Sequence, residues 1–274
     1  MRVDDFYDRH PINAHQVLAA VARRRRGGDL ARLSADDLFE FDQDHYGGLA
    51  AVDALARRAA ITAASRVLDV CAGLAGPARF LTSRRGCGVV ALERNAGRAA
   101  GAARLTRLVG LEGRVRVVRG DASALPFRAG SFDACVSQEA FQHIADKLAV
   151  LAGCRRVLAP GGRLAFTDWI ARARLGERER ARLAEWMAAT TLQSIDSYRA
   201  LLGRAGFVRV EAEDVSDEWR PIVRARLQMF RAMRRETAAR VGEARSHDYD
   251  QLHAFFVGLV EDGKLGGGRF SGSA

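Results

Sequence analysis

From Arg66 onward the hydrophobic positions fall into a repeated alternation. Short apolar runs, "RVLDVC", "GVVALER", "RVRVVRGD", "SFDACVSQ" and "RLAFTDWI", have the length of buried strands. Between them, apolar residues recur at helical spacing, predicting helices over Gly76–Arg85, Ala96–Leu108 and Lys147–Leu158. The loop "ASALPFRAG" and the turn "APGG" punctuate the later elements. Apolar strands alternating with helices of about ten to fifteen residues make βαβ units, with helices covering both faces of a parallel sheet. The fold class that follows is α/β, with a doubly wound, mostly parallel sheet.

The flanks have a looser rhythm. Residues 5–26 predict a helix with Phe6, Val17, Leu18 and Val21 on one apolar face, broken by "GGD" at 27–29. A capped segment, "LSADDLFEFDQDHYGG", ends at Gly47-Gly48, and a helix from Leu49 to Ala60 leads into the core. Beyond Ile170 the pattern predicts helices over 176–189 and 195–205 and a strand in "GFVRVEAEDVS". An arginine-rich helix from Trp219 to Glu243, one further helix and a last strand near "EDGKLGGGRF" complete the chain. The organisation is an N-terminal helical extension (1–62), an α/β core (63–172) and a C-terminal part (173–274). That last part completes the core and carries a helical lid insertion.

Composition narrows the partners. The 274 residues carry a formal net charge of +10, yet Lys147 and Lys264 are the only lysines. Arginine abundance beside plentiful Ala, Gly, Leu and Val reads as a coding bias. The run Arg23–Arg26 has no interleaved aromatic residues, which argues for a solvated turn over a nucleic-acid surface. No apolar stretch reaches the roughly 20 residues of a membrane span. The polar, acidic start lacks the features of a secretory signal. Cys71, Cys87, Cys135 and Cys154 have no metal-binding spacing and read as reduced thiols of a cytoplasmic protein, with no metal expected.

The stretch "VLDVCAGLAGPARFL" is a strand, a turn of small residues and a helix start. Cys71, Gly73 and Gly76 match the dinucleotide spacing GxGxxG with one substitution, while Cys71, Gly73 and Ala75 fit a looser GxGxG. Spacing alone leaves both open. The neighbours discriminate. Asp69, inside the first strand, is placed as an ionised acceptor for an ammonium. Glu93 ends the second strand, where a carboxylate can take both ribose hydroxyls, and Asp121 ends the third, placed to accept from an exocyclic amine.

Together these residues resemble the class I S-adenosylmethionine (SAM)-dependent methyltransferases, over about residues 65–170 and again in "SYRALLGRAGFVRVE". The resemblance implies a Rossmann-like, seven-stranded sheet with an antiparallel hairpin at one edge. Carried over by position, Asp69 and the turn Cys71–Ala72–Gly73 hold the methionine end. Glu93, with Arg94 beside it, binds the ribose, Asp121 and Ala122 the adenine edge, and Gln138 lines the cofactor. Cys71 stands where the family usually has glycine; it fits as a small lining residue provided its φ stays negative.

A sulfonium is an already activated methyl donor, so the protein must chiefly align the nucleophile and exclude water. A base is needed only where the nucleophile carries a proton. Glu139 and His143 in "SQEAFQHI", Tyr46 and His45 in "DQDHYGG", and Asp168 and Trp169 after the fifth strand stand at the strand ends where open sheets bind ligands. His143, Glu139 and Tyr46 are the catalytic candidates, with His45 and Trp169 for the substrate. Within the family these stretches are most similar to sarcosine/dimethylglycine and phosphoethanolamine N-methyltransferases, whose catalytic histidine falls at His143. The partner tyrosine of the latter has no secure counterpart in the sequence, since Tyr46 sits close to the Gly-Gly pair. Arg172, Arg174, Arg220 and Arg224 are further candidates, for a substrate carboxylate or phosphate.

The function implied is methyl transfer to a small-molecule acceptor, an amine nitrogen first. Carbon or oxygen methylation of a quinone-like or terpenoid acceptor comes second. RNA methylation, a SAM-binding protein without catalysis and a dehydrogenase are the remaining alternatives. A homodimer stays open.

Overall fold

A computed structural model describes residues 3–8, 12–25, 30–232 and 234–274. The N-terminal extension forms α1 (Val3–Asp8), α2 (Ala14–Arg24), α3 (Ala35–Leu38) and α4 (Gly48–Arg58). The core follows as β1 (Arg66–Val70), α5 (Gly76–Arg85), β2 (Gly88–Glu93), α6 (Ala96–Leu108), β3 (Val115–Arg119), β4 (Phe132–Gln138), α7 (Lys147–Val157) and β5 (Leu158–Ala171). The remainder is α8 (Glu177–Met187), α9 (Ile195–Arg204), β6 (Val208–Asp214), α10 (Ser216–Ala232), α11 (Arg234–Val241), α12 (Glu243–Glu261) and β7 (Leu265–Ser273).

The seven strands form one sheet in the order β3-β2-β1-β4-β5-β7-β6. All neighbours from β3 to β5 pair in parallel, whereas β7 runs antiparallel to both β5 and β6. Strand alternation sends adjacent residues to opposite faces. Val67, Val89 and Ala91 pack with Leu55, Leu81 and Ala102 on one side. Leu68, Leu92 and Phe166 pack with Val150, Leu151 and Tyr198 on the other. The layered core expected from the apolar runs is therefore present.

The excursion between β6 and β7 folds back over the sheet's end, where Trp169, Leu183, Trp219, Phe256 and Leu265 share a buried cluster. The glycine run of β7 permits this packing: a Cβ on Gly267 would lie 2.4 Å from the Trp219 ring. Those glycines belong to the strand itself.

Several boundaries differ from the expectation. In place of one helix over 5–26 there are α1 and α2, with residues 9–11 outside the described set. Asn13 starts α2 afresh by accepting from the Gln16 N–H at 3.1 Å. The "GGD" break and Arg26 of the arginine run also lie outside the described residues. The "APGG" turn is absorbed into a long β5, beside a register shift between Phe132 and Ala134. Two helices, α10 and α11, replace the single arginine-rich one. Among the described residues no helix is long and apolar enough to cross a membrane.

Candidate active site

The carboxyl ends of β1, β2, β3 and β4 converge on one cavity of about 1000 Å³, counting its open mouth. Asp69, Cys71, Ala72, Gly73, Glu93, Arg94, Asp121, Ala122 and Gln138 all line it. The parallel sheet explains the convergence, because each βα unit returns its strand's end to the same edge.

The turn after β1 has left-handed backbone at Cys71 (φ 60°), Gly73 (φ 56°) and Ala75 (φ 59°). This corrects the expectation of a negative φ at Cys71. An L-residue there costs about 1–2 kcal/mol, and the surrounding hydrogen bonds hold it. The Ala72 N–H donates to the Leu92 carbonyl at 2.9 Å, and the Gly73 N–H to Glu93 Oε2 at 2.8 Å. Gly73 also admits Arg98, whose Nη2 would stand 2.7 Å from a Cβ at that position. Burial pushes the Cys71 thiol well above its usual range, with nearby Glu93 adding to the effect.

Glu93 links two strand ends, since its Oε1 accepts from the Asn95 N–H at 2.8 Å while Oε2 holds Gly73. Asp69 is 3% exposed and its Oδ2 has no hydrogen-bond partner. Burial, reinforced by Glu93, raises its carboxyl to about 7, so without a cation beside it the group is half protonated at neutrality. That departs from the ionised Asp69 of the sequence reading. Asp121 is the opposite case: hydrogen bonds from the Ser123 hydroxyl (2.7 Å) and N–H (2.9 Å) hold it below the usual carboxylate range. Its Oδ2 lies 3.9 Å from Arg94 Nη1.

A second cavity adjoins the first. Phe6, Tyr46, Trp169, Met187, Phe230 and Phe256 supply much of its apolar wall, with Arg226 from α10 beside Tyr46. Tyr7, Asp44, Glu139 and His143 line both cavities and form the boundary between them. Trp169 meets Phe256 edge-on at 4.2 Å and Tyr46 at 5.0 Å.

At this boundary Glu139 has φ 50°, accepts from the Tyr46 N–H at 2.8 Å, and is raised by burial to about 8. Strained backbone and a perturbed carboxyl together mark functional positions. His143 places Nδ1 3.0 Å from the Ala188 carbonyl and Nε2 3.0 Å from the Tyr7 hydroxyl. A carbonyl only accepts, so Nδ1 carries the hydrogen and Nε2 the lone pair. Burial pushes the Tyr7 phenol well above its usual range, which keeps it a donor.

The tyrosine beside His143 is therefore Tyr7, which the sequence reading missed, while Tyr46 belongs to the chamber wall. Helix α1 is held over the first cavity by Arg94–Asp4 (3.2 Å), Asn95–Asp8 (2.9 Å) and the Arg98 guanidinium, 4.6 Å from the Tyr7 ring. Arg98 also pairs with Asp44 at 2.8 Å. An aromatic pair in a short acidic helix was the one available signal for Tyr7, and it carried no position.

His45 lines the first cavity and is absent from the chamber wall. Its Nε2 lies 2.9 Å from Gln43 Oε1 and its Nδ1 3.0 Å from Gln138 Nε2. Burial lowers its pKa to about 4, so it stays neutral. Asp168 lines neither cavity; it is fully buried and accepts from the Tyr198 hydroxyl. Of the candidate substrate arginines, Arg172 pairs with Asp214, Arg220 with Asp217 and Arg224 with Glu261, while Arg174 is exposed.

Sheet order, the glycine-bearing turn and the three strand-end acids define the Rossmann-like fold of class I methyltransferases. Residues 68–166 match the family model described as a methyltransferase domain. The glycine/sarcosine/dimethylglycine N-methyltransferase of Actinopolyspora halophila is 32% identical over 193 residues, covering 70% of this chain and 34% of that protein. Methyltransferase GfsG of Streptomyces halstedii is 35% identical over 179 residues, 64% of each. A solved structure of Haemonchus contortus phosphoethanolamine N-methyltransferase 2, in complex with phosphomonomethylethanolamine and S-adenosylhomocysteine, superposes with TM-score 0.80 at 18% identity. It covers 100% of this chain and 60% of that one. The chain thus spans 34% to 64% of the length of these relatives.

Proposed function

We propose that this protein is a SAM-dependent methyltransferase acting on a small-molecule acceptor, with an amine nitrogen as the nucleophile. The carrying observation is the shared boundary of Tyr7, Asp44, Glu139 and His143 between an acidic strand-end cavity and an aromatic chamber.

The residues present fit the cofactor. The unpartnered Oδ2 of Asp69 would take its ammonium, Glu93 its ribose hydroxyls, and Asp121 with Ala122 its adenine edge. When bound, SAM supplies a methyl group activated by the sulfonium. The protein's own task is alignment, worth effective molarities of roughly 10⁵–10⁸ M in model systems. Tyr46, whose ring carries the Arg226 guanidinium, holds the acceptor's body together with Trp169 and the phenylalanines, with Asp44 and Glu139 beside its amine. The Tyr7 hydroxyl takes up the proton an amine must lose before it attacks as it passes its own hydrogen to His143 Nε2. Helix α1 and the insertion cover the two cavities and exclude water. Four free cysteines, three of them buried, suit the reducing cytoplasm.

A second reading rests on the same chamber. Its aromatic wall suits an apolar quinone-like or terpenoid acceptor methylated on carbon or oxygen.

A screen with labelled SAM across small amines, phenols, quinones and RNA tests the proposal. Transfer to amines supports it; transfer to phenols or quinones alone selects the second reading, and transfer to RNA alone refutes both. Calorimetry with S-adenosylhomocysteine on Glu93→Ala tests the cofactor placement. Losing a charged acceptor should weaken binding at least about tenfold, and an unaltered dissociation constant contradicts it.

A further inference from the structure

We propose that Lys147 is a positioning residue which, through the segment 188–191, clamps His143 in a single tautomer and orientation. This rests on the reading of His143 as the group that receives the acceptor's proton through Tyr7.

Lys147 opens α7 and is 2% exposed. Its ammonium lies 3.0 Å from the Ile144 carbonyl, 2.6 Å from the Thr191 carbonyl and 2.5 Å from the Thr191 hydroxyl. An ammonium has three donors, and these contacts use them all. The Thr191 hydroxyl itself donates to the Ile144 carbonyl at 2.9 Å. On the other side of His143, the N–H groups of Thr190 and Thr191 donate to the Gln142 carbonyl at 3.2 and 3.4 Å. The ring is tied to the same segment through Nδ1 and the Ala188 carbonyl. The Gln142 carbonyl, the His143 imidazole and the Ile144 carbonyl are thus all bound to one strap, the last of them also through Lys147.

Two features bear on this arrangement. Ala188 closes α8 in a left-handed C-cap (φ 50°), with the Ala189 N–H on the Leu183 carbonyl at 3.1 Å, and that cap aims the Ala188 carbonyl at His143. Burying an ammonium is costly, and an apolar side chain of similar length fills such a site as well or better. Asp168 attracts the Lys147 charge through space, while burial still lowers its pKa to about 8. What the ammonium provides, and a hydrophobe would not, is the link between Ile144 and Thr191. Holding that link keeps the Nε2 lone pair facing Tyr7 and the boundary of the two cavities.

The experiment compares Lys147→Met, which keeps the stem and removes the charge, with Thr191→Val, which keeps the volume and removes the hydroxyl. Long-range 1H–15N spectra of the imidazoles, recorded at pH 7 where Lys147 keeps its charge, read the tautomer directly. The wild-type protein should show His143 protonated at Nδ1 alone. In Lys147→Met both tautomers should be populated and kcat should fall about 10²-fold, the scale of an ångström's misplacement. Affinity for S-adenosylhomocysteine should stay within about twofold, because the cofactor contacts are untouched. Thr191→Val should show the same pattern, weaker, and decides alone if Lys147→Met does not fold. A folded variant with one tautomer and wild-type kcat overturns the clamp. Mixed tautomers with unchanged kcat uphold it and overturn the role of His143 as base instead.

Discussion

The Tyr7 hydroxyl lies 3.0 Å from Nε2 of His143, joining the first helix to a turn 136 residues further along the chain. The phenol stays protonated because burial raises its pKa. It can therefore take up the acceptor's proton while handing its own hydrogen to that nitrogen. Tyr7→Phe removes one hydrogen bond to that nitrogen, and kcat for proton-bearing acceptors should drop about tenfold, the scale of a net hydrogen bond. Steady-state kinetics across pH would read this; an unchanged kcat means Tyr7 only covers the cavity.

Asp69 links cofactor binding to protons. Its folded-state value of about 7 stands above the ordinary 3.8. Between those values the folded chain holds a proton that the unfolded chain has lost. Its contribution to stability therefore falls as pH rises through that window. A ligand ammonium beside Asp69 favours the carboxylate and expels that proton. Binding of S-adenosylhomocysteine should then release about one proton at pH 6 and almost none at pH 8.5. Calorimetry in buffers of different ionisation enthalpy measures this, and Asp69→Asn should abolish the release.

Left-handed backbone at Cys71 makes the position sensitive to side-chain shape. Glycine relieves the strain but frees the unfolded chain, so Cys71→Gly should gain at most about 1 kcal/mol, or about 2–4 °C in Tm. A β-branched side chain is a poor fit to φ 60°, and Cys71→Val should lose more than about 1 kcal/mol. Thermal melts of the two variants would give the order, and equal melting points would show that the strain is absorbed elsewhere.

Asp42 and Arg79 pair at 2.8 Å with neither side chain exposed. Arg79 also reaches the Thr106 hydroxyl at 3.0 Å, so it fastens the segment before α4 to α5 and α6. Arg79→Met strands a buried carboxylate and should cost about 3–5 kcal/mol in urea unfolding. A loss below 1 kcal/mol would mean that water reaches Asp42 in solution.

The core was legible because its signal is local. Short continuous apolar runs and helical stretches differ over a few residues, and a parallel sheet carries strand ends to one edge. Asp69, Glu93 and Asp121 could therefore be placed from their positions in βα units. The acceptor side was not legible, because it is assembled by distant packing. Tyr7, Asp44 and Arg98 meet His143 and Glu139 only after α1 and the segment before α4 have crossed the strand ends. His45 was assigned to the substrate, yet its neighbour Tyr46 is the residue that faces the chamber. The backbone at Cys71 was misjudged because a cysteine in a glycine turn carries no mark of the sign of φ.

The helices α10 to α12 leave the sheet after Asp214 and return at Leu265, on two strands that lie side by side, with Asp214 opposite Gly268. Such an excursion begins and ends at almost one point, so its length and sequence can change without shifting any strand's register. Phe230, Tyr249 and Phe256 come from it, whereas Asp69, Glu93 and Asp121 do not. Selectivity for the acceptor can thus diverge, or be grafted between related chains, by exchanging one contiguous cassette while the nucleoside side is inherited intact.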